Sequence, residues 1–274
     1  MVVHGRASRD APPVSSLADA YSAAAPAWAS GPDRIYGRMA EVVIAQSPVA
    51  VQGRTVLDVG TGTGAVARVV EASGAAAVIA VDTAFGMIAH NACDRPPGVV
   101  GDAVALPFAN RSFDVVIAAF SLNHLREPEK GLVEMARLTD RGGAIIASSY
   151  AADDGHPVKA SVERALAGAG WRAPAWYLDV REAAVPRLST ADGWRRALDA
   201  ADLEGEVRSI RVPFESVSPR ALVDWRLGMA QHAPFFRSLP PAARERVVAA
   251  AIDDLGDDVE PLVRSILVVS VLNR

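Results

Sequence analysis

An acid stands just ahead of three alternating glycines in Asp58-Val59-Gly60-Thr61-Gly62-Thr63-Gly64. The run follows the apolar pair Val56-Leu57. It precedes Ala65 to Val70, where Val66, Val69 and Val70 fall at helical i, i+3, i+4 spacing. The segment predicts a strand, a glycine turn and a helix. A turn without Cβ atoms lets the backbone approach a ligand, and the free N–H groups of the following helix face the same place. A dinucleotide would set its pyrophosphate over these glycines, where an acid repels it. Asp58 suits instead a ligand with a cationic head, such as an amino group. A second acid, Asp82, closes the apolar run Ala76 to Val81, which reads as a second buried parallel strand. A carboxylate at that strand end can accept hydrogen bonds from both hydroxyls of a ribose. Gly60-x-Gly62-x-x-Ala65 also fits the dinucleotide fingerprint loosely, so these two acids alone leave a dehydrogenase open.

The elements that must hold these residues alternate along the chain. Residues 17–29 and 33–47 read as helices ahead of a core that begins at Thr55. Val99-Val100 is a short third strand, and Ser112 to Ile117 a fourth. Pro128-Glu129 opens a helix with Leu132, Met135 and Ala136 on one side. A fifth strand spans Ala144 to Ser149. A helix follows from Thr190 to Leu203, capped by Thr190 or Ser189. Glu206 to Phe214 and Leu262 to Leu272 supply two more strands. Six or seven strands interleaved with helices predict a doubly wound α/β sheet.

Two stretches exceed what that sheet needs. Residues 151–189 hold Trp171, Trp176 and Tyr177, and residues 215–261 hold Trp225, Met229, His232, Phe235 and Phe236. Within the second, Ala243, Val247, Val248, Ala251, Ile252 and Leu255 form one apolar helical stripe. The predicted organisation is a polar, disordered arm over 1–15, a core with N-terminal helices over 16–150, a cap insertion over 151–189, core over 190–214, a second cap insertion over 215–261 and a last core strand over 262–274. The cap aromatics are expected to face the reacting group.

Composition narrows the class. Of 274 residues, 50% are apolar and 22% charged, with a net charge of −4, so no general affinity for nucleic acid or anionic membranes is expected. No apolar run approaches the roughly 18–20 residues of a membrane span, and the polar first residues carry no leader-like segment. The single cysteine, Cys93, excludes an internal disulfide and reads as a small buried apolar residue. A cytoplasmic monomer or homodimer acting on a small molecule is the expectation.

Leu57 to Gly64 resembles the first motif of class I S-adenosylmethionine-dependent methyltransferases. Asp82-Thr83-x-x-x-Met87 resembles that family's second motif. Val99-Val100-Gly101-Asp102-Ala103 followed by Ser112-Phe113-Asp114 resembles its third strand and the opening of its fourth. The resemblance covers residues 20–150 most closely and decides against the dehydrogenase. The alternative Tyr-x-x-x-Lys dehydrogenase signature also fails, since Tyr150 is followed four residues on by Asp154. The resemblance implies a Rossmann-like seven-stranded sheet with helical cap insertions and S-adenosyl-L-methionine as cofactor. It implies that Asp58, Gly60, Thr61, Gly62 and Gly64 hold the amino acid end, Asp82 and Thr83 the ribose, and Met87, Asp102 and Ala103 the adenine side, with Phe120 also at the cofactor. Tyr21 and Tyr36 are candidates to reach the carboxylate or sulfonium, because an aromatic face attracts a cation.

Catalysis then needs chiefly positioning, with a general base where the acceptor carries a proton. Of the five histidines, His124 in Ser121-Leu122-Asn123-His124 lies just past the fourth strand, and His232 lies in the cap. Both are candidate bases. No pair of His, Asp or Glu shows metal-ligand spacing, so no metal is expected. The motif style and alanine-rich composition look like bacterial enzymes of quinone biosynthesis and natural-product type. The expected activity is methyl transfer to a small, partly apolar molecule, in natural-product biosynthesis. C-methylation of a quinone or lipid precursor is the alternative within enzymes. A cofactor-binding regulator is the alternative outside them.

Overall fold

The computed structural model describes residues 16–215, 217–256 and 258–274. The arm expected over 1–15 lies outside the described residues. Seven strands form one sheet: β1 Thr55–Val59, β2 Ala77–Asp82, β3 Gly98–Val100, β4 Phe113–Ala119, β5 Thr139–Tyr150, β6 Gly205–Pro213 and β7 Val263–Leu272. Their order is β3-β2-β1-β4-β5-β7-β6. β1 to β5 are parallel, whereas β7 runs antiparallel between β5 and β6.

Central strands read as unbroken apolar runs because both faces are covered. Val56, Val115, Ile117, Ile146 and Val268 pack on one face. Leu57, Val116, Ile145, Leu267 and Val269 pack on the other. The first face is covered by α2 Pro32–Ile44, α3 Ala65–Ala72, α6 Val158–Gly168, α9 Pro219–Leu227 and α11 Pro241–Leu255. The second is covered by α5 Pro128–Leu138 and α8 Ala191–Ala200. Thr190 caps α8 as expected, its hydroxyl accepting from Gly193 N at 3.0 Å.

Both insertions fold mainly as helices. α6, α7 Ala175–Asp179 and short π and 3-10 turns make up the first. α9, α10 Ala233–Ser238 and α11 make up the second. The α11 stripe buries Val247 and Ala251 against this layer, with Val248, Ile252 and Leu255 partly covered. α1 Leu17–Ser30 and α2 lie across the carboxyl end of the sheet. They are tied there by Ser22 Oγ, which accepts from the backbone N of Gly86 in α4 Phe85–Ala89 (3.1 Å), and by Asp33, which accepts from Thr63 Oγ1 (2.7 Å) and pairs with Arg68. Cys93 is exposed in a 3-10 turn rather than buried, because the chain after α4 leaves the sheet surface before it can pack.

Candidate active site

The strand order reverses between β1 and β4, and a cavity of about 310 Å³ opens at the carboxyl ends of β1, β2 and β4. Its floor is Gly60, Thr61 and Gly62, with Asp82 and Thr83 on one side and Asp102 and Ala103 beyond them. Phe120, Ser121 and His124 form the opposite wall. Leu17, Tyr21, Trp28 and Tyr36 close the top. The cavity thus gathers Tyr21, Tyr36, Gly60, Thr61, Gly62, Asp82, Thr83, Asp102, Ala103, Phe120 and His124, all named from sequence.

The glycine turn is braced from beneath. Gly60 N and Thr61 N both donate to Val81 O, at 2.8 and 2.9 Å. Gly60, Gly62 and Gly64 all take positive φ. Asp82 Oδ2 accepts from Gly62 N and Oδ1 from Ala84 N, each at 2.8 Å, so the acid fixes the turn and faces the cavity at once. Burial raises its pKa. Asp102 is exposed at the cavity edge, and its Oδ1 accepts from Val104 N at 3.1 Å.

Asp58, Gly64, Met87 and His232 do not reach the cavity. Asp58 is 1% exposed, and its Oδ2 accepts from Thr61 Oγ1 (2.6 Å) and Ala67 N (3.1 Å). It shares the face of β1 that carries Val56, so it points under the turn into α3 rather than at a ligand's amino group. Gly64 caps α3 behind the turn against Arg68 and Arg95. Met87 is fully buried with Trp28 and Ala84, one layer behind the wall.

His232 is fully buried beneath Trp171, with ring centroids 5.0 Å apart, and Nδ1 lies 2.8 Å from Arg226 O. Burial pushes its pKa down to about 3, and it is not a base for chemistry in the cavity. The cap aromatics are likewise displaced. Trp225, Met229 and Phe235 pack behind the wall, and α1 roofs the cavity with its own side chains. The α1 spacing Leu17, Tyr21, Trp28 presents one face, and Trp28 was legible as part of it. Arg95, missed altogether, donates to Gly62 O (3.0 Å) and Met87 O (2.9 Å) and so ties the turn to α4.

His124 sits where β4 gives way to a 3-10 turn, Leu122–His124. Phe120, just before, holds φ +57, an uncommon conformation for a side-chain-bearing residue and one concentrated at functional sites. Its ring stacks on Tyr150 with centroids 4.8 Å apart. His124 Nδ1 lies 3.2 Å from Ser121 O, which only accepts, so Nδ1 carries the proton. Nε2 is then an acceptor, and the Tyr21 hydroxyl donates to it at 3.1 Å. Burial lowers the His124 pKa and raises that of Tyr21. The pair is therefore neutral at pH 7, with a basic nitrogen bonded to the Tyr21 hydroxyl at the cavity wall.

The buried Asp58 makes a stability prediction. Burial raises its pKa from 3.8 to about 6. A folded value above the unfolded one means that the folded state holds a proton more tightly, so this group costs stability as pH rises from about 4 through 6. Asp58→Asn keeps an acceptor oxygen and removes the charge. The variant should gain on the wild type by up to about 3 kcal/mol between pH 4 and 7, measured by urea unfolding at both ends. A pH-independent difference would place the ionisation elsewhere.

The family described as a methyltransferase domain matches residues 57–147, from β1 into β5, which carry the cavity floor and its far wall. Residues 57–147 of this chain thus resemble a methyltransferase domain. A demethylmenaquinone methyltransferase of Renibacterium salmoninarum is 41% identical over 103 residues, 37% of this chain and 43% of that protein. The chain thus spans about half the length of the curated relatives it matches. Among solved structures, a methyltransferase of Haloferax volcanii, in complex with a methyltransferase activator, aligns over 95% of this chain and 98% of its own. Its TM-score is 0.57 at 19% identity. The phosphoethanolamine N-methyltransferase 2 of Haemonchus contortus, solved with S-adenosyl-L-methionine, aligns over 86% of this chain and 52% of its own, with a TM-score of 0.54 at 20% identity. Those two likenesses show the fold alone. Among the described residues, no helix is long and apolar enough to cross a membrane, and no three His, Cys, Asp or Glu side chains gather as a metal-ligand set.

Proposed function

We propose that this chain is a cytoplasmic methyltransferase that binds S-adenosyl-L-methionine in the β1–β2–β4 cavity and methylates a small, partly apolar molecule in natural-product biosynthesis. The observation that carries the reading is one cavity joining a glycine-rich turn, two acidic acceptors and a histidine–tyrosine pair. When bound, the cofactor supplies a methyl group already activated on a sulfonium, so the protein's share is positioning, desolvation and proton removal.

The residues fit such a group. Gly60 and Gly62 leave the floor open to an amino acid moiety, and Asp82 retains acceptor capacity for vicinal hydroxyls beyond the two backbone bonds it makes. Asp102 offers an acceptor to an exocyclic amine at the cavity edge. Tyr21, Trp28 and Tyr36 present aromatic surface suited to a cationic sulfur and exclude water from it. An acceptor hydroxyl placed against Tyr21 passes its proton to Tyr21 Oη while the tyrosine proton moves to His124 Nε2. Ser121 O holds His124 in the tautomer this requires.

Calorimetry with S-adenosylmethionine and its demethylated product tests the cofactor assignment, and no heat at millimolar ligand sinks it. Asp82→Ala should weaken binding by about 100-fold or more, since two hydrogen bonds to a charged acceptor are worth roughly 1.5–3 kcal/mol each. Retained affinity in that variant would mean that another group holds the ribose.

A second reading, C-methylation of a quinone or lipid precursor, is favoured by the demethylmenaquinone methyltransferases among the relatives. Turnover of demethylmenaquinone against a panel of hydroxyaryl compounds separates the two. Tight cofactor binding without turnover on any acceptor would favour a regulator.

A further inference from the structure

Behind the Tyr36 and Phe120 wall lies a second polar centre that the transfer chemistry does not use. The Arg264 guanidinium is 3% exposed and held between two rings, 4.1 Å from the Tyr150 centroid and 4.7 Å from that of Trp225. Its Nε donates to Asp154 Oδ1 at 2.8 Å and one terminal nitrogen to Oδ2 at 2.5 Å. Lys159 shares the same carboxylate at 3.1 Å. Arg226, 6% exposed, lies 5.5 Å from the Trp225 centroid and forms no ion pair among the described residues. Arg264 and Lys159 therefore share one carboxylate, Asp154, and Arg226 adds a third positive charge close to both. Glu163, partly exposed and 3.9 Å from His232 Nε2, faces Arg226 from further off than an ion pair.

The donors left over are concentrated here. Arg264 Nη1, Arg226 Nε and Trp225 Nε1 are buried without a hydrogen-bond partner among the described residues, and the Tyr150 hydroxyl faces that of Tyr36. Three cations set against the two carboxylates Asp154 and Glu163 leave one positive charge in excess, which is costly to bury without a further anion to meet it. The flanking rings are flat, and a guanidinium fork matches one carboxylate bidentately. Only one ring layer separates the centre from the cavity. Tyr36 and Phe120 line the cavity, and Tyr150 packs on both, at 6.4 and 4.8 Å between centroids.

We propose that Arg226 and Arg264, with Tyr150 and Trp225, form an anion-recognition subsite, and that the methyl acceptor is a flat molecule bearing a carboxylate. The word acceptor rests on the methyl-transfer reading; the anion subsite stands on its own contacts. Benzoate and its neutral isostere benzamide are the probes, titrated against the purified full chain, with and without S-adenosylhomocysteine, by thermal shift and calorimetry. Benzoate should bind at least about tenfold more tightly than benzamide, as one charge-assisted contact predicts. Arg226→Met should erase that preference while leaving S-adenosylhomocysteine affinity unchanged. Equal binding of the two probes, or no binding of either, overturns the subsite in the wild type without need of any variant. A benzoate preference that survives Arg226→Met overturns it too. If the variant does not fold, the wild-type ratio decides. Benzoate preference in a protein that ignores S-adenosylhomocysteine would keep the anion subsite and remove the methyl-transfer reading.

Discussion

His124→Asn and Tyr21→Phe should each lower kcat by about 10²–10⁴ on an acceptor that must lose a proton, with cofactor affinity nearly unchanged. The two residues act in series. Ser121 O fixes the proton on Nδ1, Nε2 receives the Tyr21 hydroxyl, and both side chains line the cavity. Removing either end breaks the same relay, so the double variant should be no slower than the worse single one. Tyr21→Phe keeps the ring that packs on Trp28 and Trp176, at 5.4 and 6.3 Å between centroids, so a fall in rate reports the hydroxyl and not the roof. The pH profile gives an independent check. The His124 pKa is lowered from 6.5, so the base is deprotonated at pH 7, and activity should fall only on acidification below the ordinary histidine range. A kcat unchanged in His124→Asn would assign the pair to scaffolding.

The parts of this site that were legible in the sequence are those in which spacing alone sets direction. Asp82 ends β2 and Asp102 follows the end of β3 by two residues, and the carboxyl ends of parallel strands converge on one edge, so their meeting follows from order along the chain. Asp58 was misdirected although its signal was present. It shares the pleat face of Val56, and in a strand that parity points it at α3. His232 and the cap aromatics carried no such signal. Where Trp225 or His232 points depends on how α9 meets α2, α6 and the β7 residue Arg264, and no local pattern encodes contacts so distant in sequence. The antiparallel insertion of β7 between β5 and β6 was illegible for a related reason. An apolar strand covered on both faces reads the same in either direction.

Gly60→Ala should produce the largest loss of cofactor affinity of any single methyl added to this protein, about 100-fold or more. Gly60 has φ +73, which costs an alanine roughly 1–2 kcal/mol wherever it occurs. Gly53, at φ +71 with nothing near its missing Cβ, isolates that cost, so Gly53→Ala should lose about 1–2 kcal/mol of stability and no affinity. At Gly60 the added carbon would also stand 2.3 Å from Ser121 Cβ and 2.9 Å from its Oγ. Ser121 cannot step aside cheaply. Its hydroxyl donates to Val59 O at 2.8 Å, it follows the constrained Phe120, and its carbonyl sets the His124 tautomer. The methyl therefore pushes the cavity floor against its far wall and disturbs the cofactor cradle and the proton relay together. Removing the opposing atoms should restore much of the loss, so Gly60→Ala with Ser121→Gly should bind S-adenosylhomocysteine better than Gly60→Ala alone, read by calorimetry. Wild-type affinity in Gly60→Ala would mean that the ligand does not sit on this turn. A double variant no better than the single one would mean that backbone strain, and not the collision with Ser121, is what glycine relieves at this position.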